Sequence, residues 1–402
     1  MKPENTIFDS KGYMLSYGAE DNRPSFHEQT VRLIACGDTG PVRTLESIVI
    51  RIGSSYILGE IKNVLASADI VFANLECTFS NRGVPLNRVP VFRIKPEAFS
   101  VIPDANIKVV SVANNHMFDY GPDAFQDTLG LLKQHDISCF GGGLRKEGAS
   151  RPLILELNGL KFGFLGFRDC ESHWYDHNSV YTEQMDPATM MQRVNLLRPK
   201  VDWLVLSLHF GWEYQFYPSP QDVKLCRKLI DEGADIILGH HPHYPQGLER
   251  YKDGIISYSL GNFIWDQNFV GHTSSSFLLE LELSKTQIIS ARIVPFKLDR
   301  AYRLLLNNSA IGEIDALSNV IINDRKLEEE WYFITRNKLI EFIRNLISVM
   351  KRKGLVRRDI QEFYRNTFSP RFISTMNSFF YYMLTGKAFF YEIKKKLKKR
   401  VS

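Results

Sequence analysis

Residues 233–243 read GADIILGHHPH, and the order of residue types in this stretch decides the fold class. Asp235 to Leu238 has the length and apolarity of a short buried strand. Gly233 stands where the helical pattern from Gln221 to Glu232 can stop in a left-handed cap. A helix feeding a buried strand through a glycine is the repeating step of an α/β sheet. Directly after the strand, His240, His241 and His243 place three imidazoles within four residues. Imidazoles at that density are poor filler for a loop, and metal binding explains them best.

The same alternation recurs outward from this stretch, beginning at Val31. Strand candidates are Arg32 to Cys36, Ile70 to Ala73, Lys108 to Val112, Ile137 to Phe140, Trp203 to Leu208 and Ile255 to Tyr258. Pro122 to His135 is a helix opened by Gly121 and Pro122 at favoured first-turn positions. Pro152 to Phe167 predicts a hairpin turning at Asn158-Gly159, where positive φ is cheap. Ser275 to Leu283 and Gln287 to Phe296 form a second β pair, so antiparallel edges are expected on the sheet. Beyond about Ala316 the apolar residues recur at helical spacing, as in Leu339, Ile340, Ile343, Leu346 and Ile347. The chain is therefore divided into an N-terminal extension (1–30), an α/β domain (31–315) and a basic helical region (316–402).

Composition narrows the class. The 402 residues leave room for more than one structural unit, and 44% hydrophobic with 24% charged residues excludes disorder and collagen-like repeats. The first thirty residues lack a basic start followed by an apolar run, so no secretory signal is predicted and a cytoplasmic location is the default. Phe372 to Gly386 is too short to span a bilayer. The five cysteines are odd in number and show no CxxC spacing, which argues against a disulfide framework or a thiolate zinc site.

Trp331 to Ser402 carries 17 Lys and Arg against 4 Asp and Glu, so the tail holds +13 and the rest of the chain −8. Such segregation points to an anionic partner for the tail. The Phe- and Tyr-rich stretch from Phe372 to Tyr391, followed by KKKLKKR at 394–400, has the composition of a peripheral anchor at the inner membrane face. A solvated charged end is the plainer alternative. No nucleic-acid module accompanies the basic run, and no nucleic-acid partner is expected.

Each candidate polar residue closely follows an apolar run: Asp38, Glu76, Asn115 with His116, His209, and His241 with His243. In α/β sheets the ligand crevice lies outside the carboxyl ends of the strands, so these side chains are expected at one edge. Taken singly, each has an ordinary explanation. Asp38 can cap a turn, Glu76 can be a loop carboxylate, Asn115 and His116 can bond their own loop, and His209 can be a satisfied core histidine. Together, oxygen and imidazole donors without thiolate suit one or two divalent ions such as Mn, Fe or Zn. In a two-metal hydrolase the ions clamp a phosphoryl or carbonyl oxygen and acidify a water, while a nearby His protonates the leaving group.

Six motifs in order, from about Arg32 to Lys297, carry a family resemblance: CGD at 36–38, ADIVFANLE at 68–76, VVSVANNHMFDYG at 109–121, LSLHFGWEY at 206–214, GADIILGHHPH at 233–243 and ISYSLGNFIWD at 256–266. They resemble the CapA family of poly-γ-glutamate capsule biosynthesis, whose fold is similar to that of calcineurin-like metallophosphatases. The resemblance implies a four-layer αββα sandwich with a metal site at its rim. It makes Asp38, Glu76, Asn115, His209, His241 and His243 the metal ligands, with Glu76 as bridge and His116 acting on substrate. It departs from the phosphatase pattern at Gly40, where many such enzymes carry the His of Asp-x-His, and at Glu76, where they carry Asp.

Arg93 is a candidate clamp for an anionic substrate group, a surface ion pair being the ordinary alternative. Glu213 and Asn262 are candidates for orienting the imidazoles. Two functions are expected from this resemblance. One is a metal-dependent hydrolase cleaving an amide or phosphoester in an anionic polymer or phosphorylated substrate. The other is a non-catalytic polymer-binding or assembly component of cell-envelope polymer synthesis.

Overall fold

Apolar residues two apart on a strand face the same way, and in this chain consecutive strand residues enter different cores. The computed structural model describes residues 7–15, 29–147, 151–169, 179–267 and 269–353, the side chains of 339–353 excepted. The aromatic stretch 372–391 and the basic run 394–400 lie outside the described residues.

Seven strands form one mixed sheet in the order Leu304–Leu306, Ile288–Leu298, Ser275–Leu283, Val31–Thr39, Ile70–Leu75, Ile107–Ser111, Ser138–Phe140. Six form a second: Leu248–Tyr251, Gly254–Ser257, Ile236–His240, Trp203–His209, Leu160–Arg168, Leu153–Leu157. The strands that carry the histidines and carboxylates pair in parallel, with Leu33 opposite Ile70 and Leu206 opposite Ile237. Antiparallel pairs stand at the sheet edges, as expected. The hairpin turns at Asn158 (φ 50°) and Gly159 (φ 74°), both in the left-handed region that a two-residue loop requires.

Leu33, Ala35, Phe72 and Val109 of the first sheet pack against Phe162, Phe164, Val205, Ile236 and Leu238 of the second. Their neighbours Ile34, Cys36, Val71 and Ala73 face the opposite way, into a core that includes Leu45, Val49, Leu65, Phe125 and Leu132 from helices. On the far side, Leu204, Leu206, Leu208 and Ile237 meet Met190, Val194, Val223, Cys226 and Leu229. Three apolar interfaces separate four layers, helix, sheet, sheet and helix, which is the αββα sandwich.

Local chemistry sets the helix facing this last interface. Ser219 accepts from Asp222 N while the Asp222 carboxylate accepts from Ser219 N, a capping box, with Pro220 in the first turn of Pro220–Asp231. Gly233 (φ 113°) ends that helix, as its position in the sequence predicts.

The first strand runs to Thr39, beyond the Cys36 expected. Its continuation depends on Gly37, where an added Cβ would lie 1.8 Å from the Gly261 carbonyl oxygen. The Leu248–Tyr251 strand, not anticipated, pairs with Gly254–Ser257 across a turn at Lys252 (φ 55°). Glu249 and Arg250 hide its apolar pattern. Helix Ile311–Ile321 spans the division expected at 315/316; Leu248 N donates to Ser318 Oγ at 2.9 Å, and Ile314 is buried between the sheets. The first compact unit ends at Leu327, within the helix Asp324–Lys353. Among the described residues, no helix is long and apolar enough to cross a membrane.

Candidate metal centre

The parallel strands end on one edge and release their polar residues there. Asp38 lies among the last paired residues of the first strand, opposite Asn74, and Glu76 directly follows Ile70–Leu75, its N–H donating to Thr39 O at 2.9 Å. His209 is the last residue of Trp203–His209, and His241 and His243 follow Ile236–His240. Asn115 and His116 lie in the loop after Ile107–Ser111. Asp38 is thus held within the strand ladder rather than serving as a turn cap.

Two overlapping groups result, Glu76 with His209 and His241, and Asp38 with Glu76 and His243, each with ligand atoms within 4.8 Å of one another. All of these residues are buried. His209 Nε2 lies 2.9 Å from Asn115 Oδ1 and 3.5 Å from Glu76 Oε1. His243 Nε2 is 4.0 Å from the same glutamate oxygen. His241 (φ 96°) and His243 (φ 58°) both adopt positive φ around Pro242, at a cost of about 1–3 kcal/mol each for residues with a Cβ. The rest of the fold must outweigh that strain to aim two imidazoles inward.

Glu76 is the informative group. It has no exposed surface, and neither carboxylate oxygen has a hydrogen-bond partner. Burial first, and the Asp38 carboxylate next, push its carboxyl well above the usual range. Burial alone would raise Asp38 as well, but the hydrogen bond and charge of His243, helped by His240 and Asn74, hold it below its usual value. Burial, then the surrounding imidazoles, drives His209 well down, which keeps it neutral and able to ligate. A buried acceptor pair without donors, beside the neutral His209 imidazole, fits a divalent cation.

His116 stands beside these groups with a different partner: its Nδ1 is 2.7 Å from Asp119 Oδ2, and Asp119 also accepts from Phe92 N and is ion-paired to Arg88. Asn262 Oδ1 accepts from His243 Nδ1 at 2.8 Å, so it orients an imidazole as anticipated. Glu213 acts on the site only through its charge. Arg93 makes its contacts elsewhere, donating to Arg82 O at 2.8 Å and stacking over Tyr120 at 4.3 Å. It lines a cleft of about 640 Å³ with Arg43, Phe92, Tyr214 and Phe269. That cleft adjoins the centre, because Phe92 packs on His116 (4.8 Å) and Tyr214 stacks on His243 (6.1 Å).

Three contributors escaped the sequence reading. Asn74 donates to Asp38 Oδ1 at 2.8 Å and reaches His209 Nδ1 at 3.3 Å. Its position two before Glu76 puts both on one strand face, a signal that was available. Asp119, three residues after His116, was likewise within local reach. Trp265 stacks on His243 at 5.8 Å and 15°, a contact without a local sequence signal. His240, part of the histidine run, lies 3.6 Å from Asp38.

The model of the family described as bacterial capsule synthesis protein PGA_cap matches residues 32–267. The capsule biosynthesis protein CapA of Bacillus anthracis is 28% identical over 312 residues, covering 69% of this chain and 73% of its own. The PGA biosynthesis protein CapA of Bacillus subtilis is 28% identical over 270 residues, covering 66% and 71%. Among solved structures, a hypothetical protein from Thermus thermophilus aligns with a TM-score of 0.43 at 13% identity, over 66% of this chain and 99% of its own. A 5'-nucleotidase from Candida albicans aligns with a TM-score of 0.40 at 10% identity, over 76% and 59%. With the family model spanning more than half of the residues and every strand that feeds the centre, this chain belongs to the bacterial capsule synthesis protein family, the CapA family.

Proposed function

We propose that this protein is a metal-dependent hydrolase of cell-envelope polymer synthesis, cleaving an amide in a γ-linked polymer such as poly-γ-glutamate or a phosphoester in a related polymer pathway. The observation that carries this is Glu76, a buried carboxylate without a donor in the midst of the site's imidazoles. The Bacillus relatives, named for capsule and PGA biosynthesis, support the pathway.

Glu76, Asn115, His209 and His241 would hold one ion of the Mn, Fe or Zn class, and Asp38, Glu76 and His243 a second. Once bound, such an ion supplies Lewis acidity toward a carbonyl or phosphoryl oxygen and acidifies water. Asp119 fixes the Nδ1 proton of His116, which leaves Nε2 as the atom that passes a proton to the leaving group. Arg93 and Arg43 face the cleft, where their guanidinium groups can take the anionic substituents of the polymer.

The test is elemental analysis of dialysed protein beside His241→Ala and His243→Ala, with turnover of a γ-glutamyl amide and of a generic phosphoester. Stoichiometric metal in wild type, its loss in the variants and turnover of one substrate are expected. Folded, metal-replete protein that turns over neither would overturn the hydrolase.

A polymer-binding or assembly role is the second reading, favoured by Gly40, which removes one imidazole from the phosphatase pattern. Saturable binding of oligoglutamate without turnover would select it. The basic region after residue 330 would supply the peripheral membrane contact.

A further inference from the structure

The two ligand groups are unequal in what they offer a cation. In the group of Glu76, His209 and His241 the glutamate oxygens are unbonded, and Asn115 brings a carboxamide oxygen that is hydrogen-bonded to His209 Nε2 at 2.9 Å. That makes two imidazoles and two oxygens, with the carboxylate uncommitted.

In the group of Asp38, Glu76 and His243 the aspartate is already engaged on both oxygens. Oδ1 accepts from Asn74 Nδ2 at 2.8 Å, and Oδ2 accepts from His241 N at 3.2 Å and lies 3.2 Å from His243 Nδ1. No further donor can enter from the first strand. A Cβ on Gly40 would lie 2.4 Å from Cys77 Sγ and 3.2 Å from the Trp265 ring. Trp265 itself closes the other side by stacking on His243. Among the described residues, no other His, Cys, Asp or Glu joins this group.

From this we infer that the centre binds two cations in order and with different selectivity, a tight one at Glu76, Asn115, His209 and His241, and a weaker one at Asp38, Glu76 and His243. The inference rests on the metal reading of the site proposed above and goes beyond it by ranking the two halves. The physical reason is ligand number, four protein donors against three. A cation entering the first half must part Asn115 from His209, and one entering the second competes with the hydrogen bonds of Asp38, so prior commitment does not offset that difference. Ligand type separates the halves further. Two imidazoles favour Zn²⁺ or Fe, and two carboxylates with one imidazole favour the harder Mn²⁺. Because Glu76 is shared, the second cation also meets the charge of the first.

The test is titration of metal-free protein with Mn²⁺ alone, and separately with Zn²⁺ alone, followed by equilibrium dialysis with elemental analysis and by electron paramagnetic resonance for Mn²⁺. Wild type should bind in two steps, the second about tenfold or more weaker. His243→Gln should keep the tight step and lose the weak one; His241→Gln should lose the tight step. With one equivalent of Zn²⁺ present, Mn²⁺ should occupy the second step only. Two equal steps in wild type, or a tight step surviving in His241→Gln, would overturn the ranking while leaving metal binding intact. The wild-type isotherm decides this even if a variant misfolds. No stoichiometric metal in wild type would overturn the ranking and the metal site together.

Discussion

Replacing Glu76 by Gln should reverse the order of stability of wild type and variant according to whether metal is present. Without metal, wild type buries a carboxyl whose two oxygens lack donors, and an unsatisfied buried acceptor costs about 1–3 kcal/mol. Burial and Asp38 raise its pKa in the folded state above the ordinary value of 4.5, so folding takes up a proton. Between those two pKa values the native state binds more protons than the unfolded one, and stability falls as pH rises. Gln has the shape of the protonated carboxyl and carries no such linkage. In EDTA the variant, which keeps an unbonded oxygen but cannot ionise, should equal or exceed wild type, and its advantage should grow as pH rises above 4.5. With Zn²⁺ or Mn²⁺ at about a hundred times Kd, wild type should gain about 2.7 kcal/mol, and the variant, lacking the shared ligand, much less. Urea midpoints in EDTA and in metal at pH 8 provide the measurement. A variant clearly less stable in EDTA, or an equal metal-induced gain in both proteins, would refute the assignment of Glu76.

Other outcomes follow from the same structure. Burial pushes His240 down to about 4, and neither ring nitrogen has a hydrogen-bond partner. The folded state resists protonation, so stability present above pH 6.5 should be lost as pH falls toward 4, by up to about 3 kcal/mol, and His240→Leu should flatten that loss in denaturation at stepped pH. Gly40→Ala should destabilise by about 1–3 kcal/mol through overpacking against Cys77 and Trp265, read as a lower thermal midpoint. Leu238→Ala, between the sheets, should cost about 2–5 kcal/mol; a loss below 1 kcal/mol would mean that the site collapses around the cavity. Removal of residues 370–402 should abolish sedimentation with anionic liposomes and spare sedimentation with neutral ones, and unchanged pelleting would remove the membrane role.

Periodicity and punctuation were enough to read the layered α/β plan. Apolar runs of strand length, separated by helical stretches with Gly and Pro at their ends, require a buried sheet covered on both faces, whereas the second sheet, and with it the third core, was implied by the family resemblance and not by the periodicity. The histidine run after Ile236–His240 was legible for the same reason, because strand ends deliver whatever follows them to one edge. Local chemistry therefore identified which residues converge, and the tertiary structure decided what they do on meeting. That Glu76 has no donor, that Asp38 is already bonded by Asn74 and by His241 N, and that Arg93 turns to backbone carbonyls and Tyr120 are outcomes of packing between segments far apart in the chain. The Leu248–Tyr251 strand was missed because its polar residues find partners only in the folded state: Glu249 takes Arg227 and Tyr258. Gly40 shows the division most directly. Its identity announced an absent imidazole, but only the approach of Cys77 and Trp265 shows that no side chain can stand there, since the space is set by two residues remote in sequence.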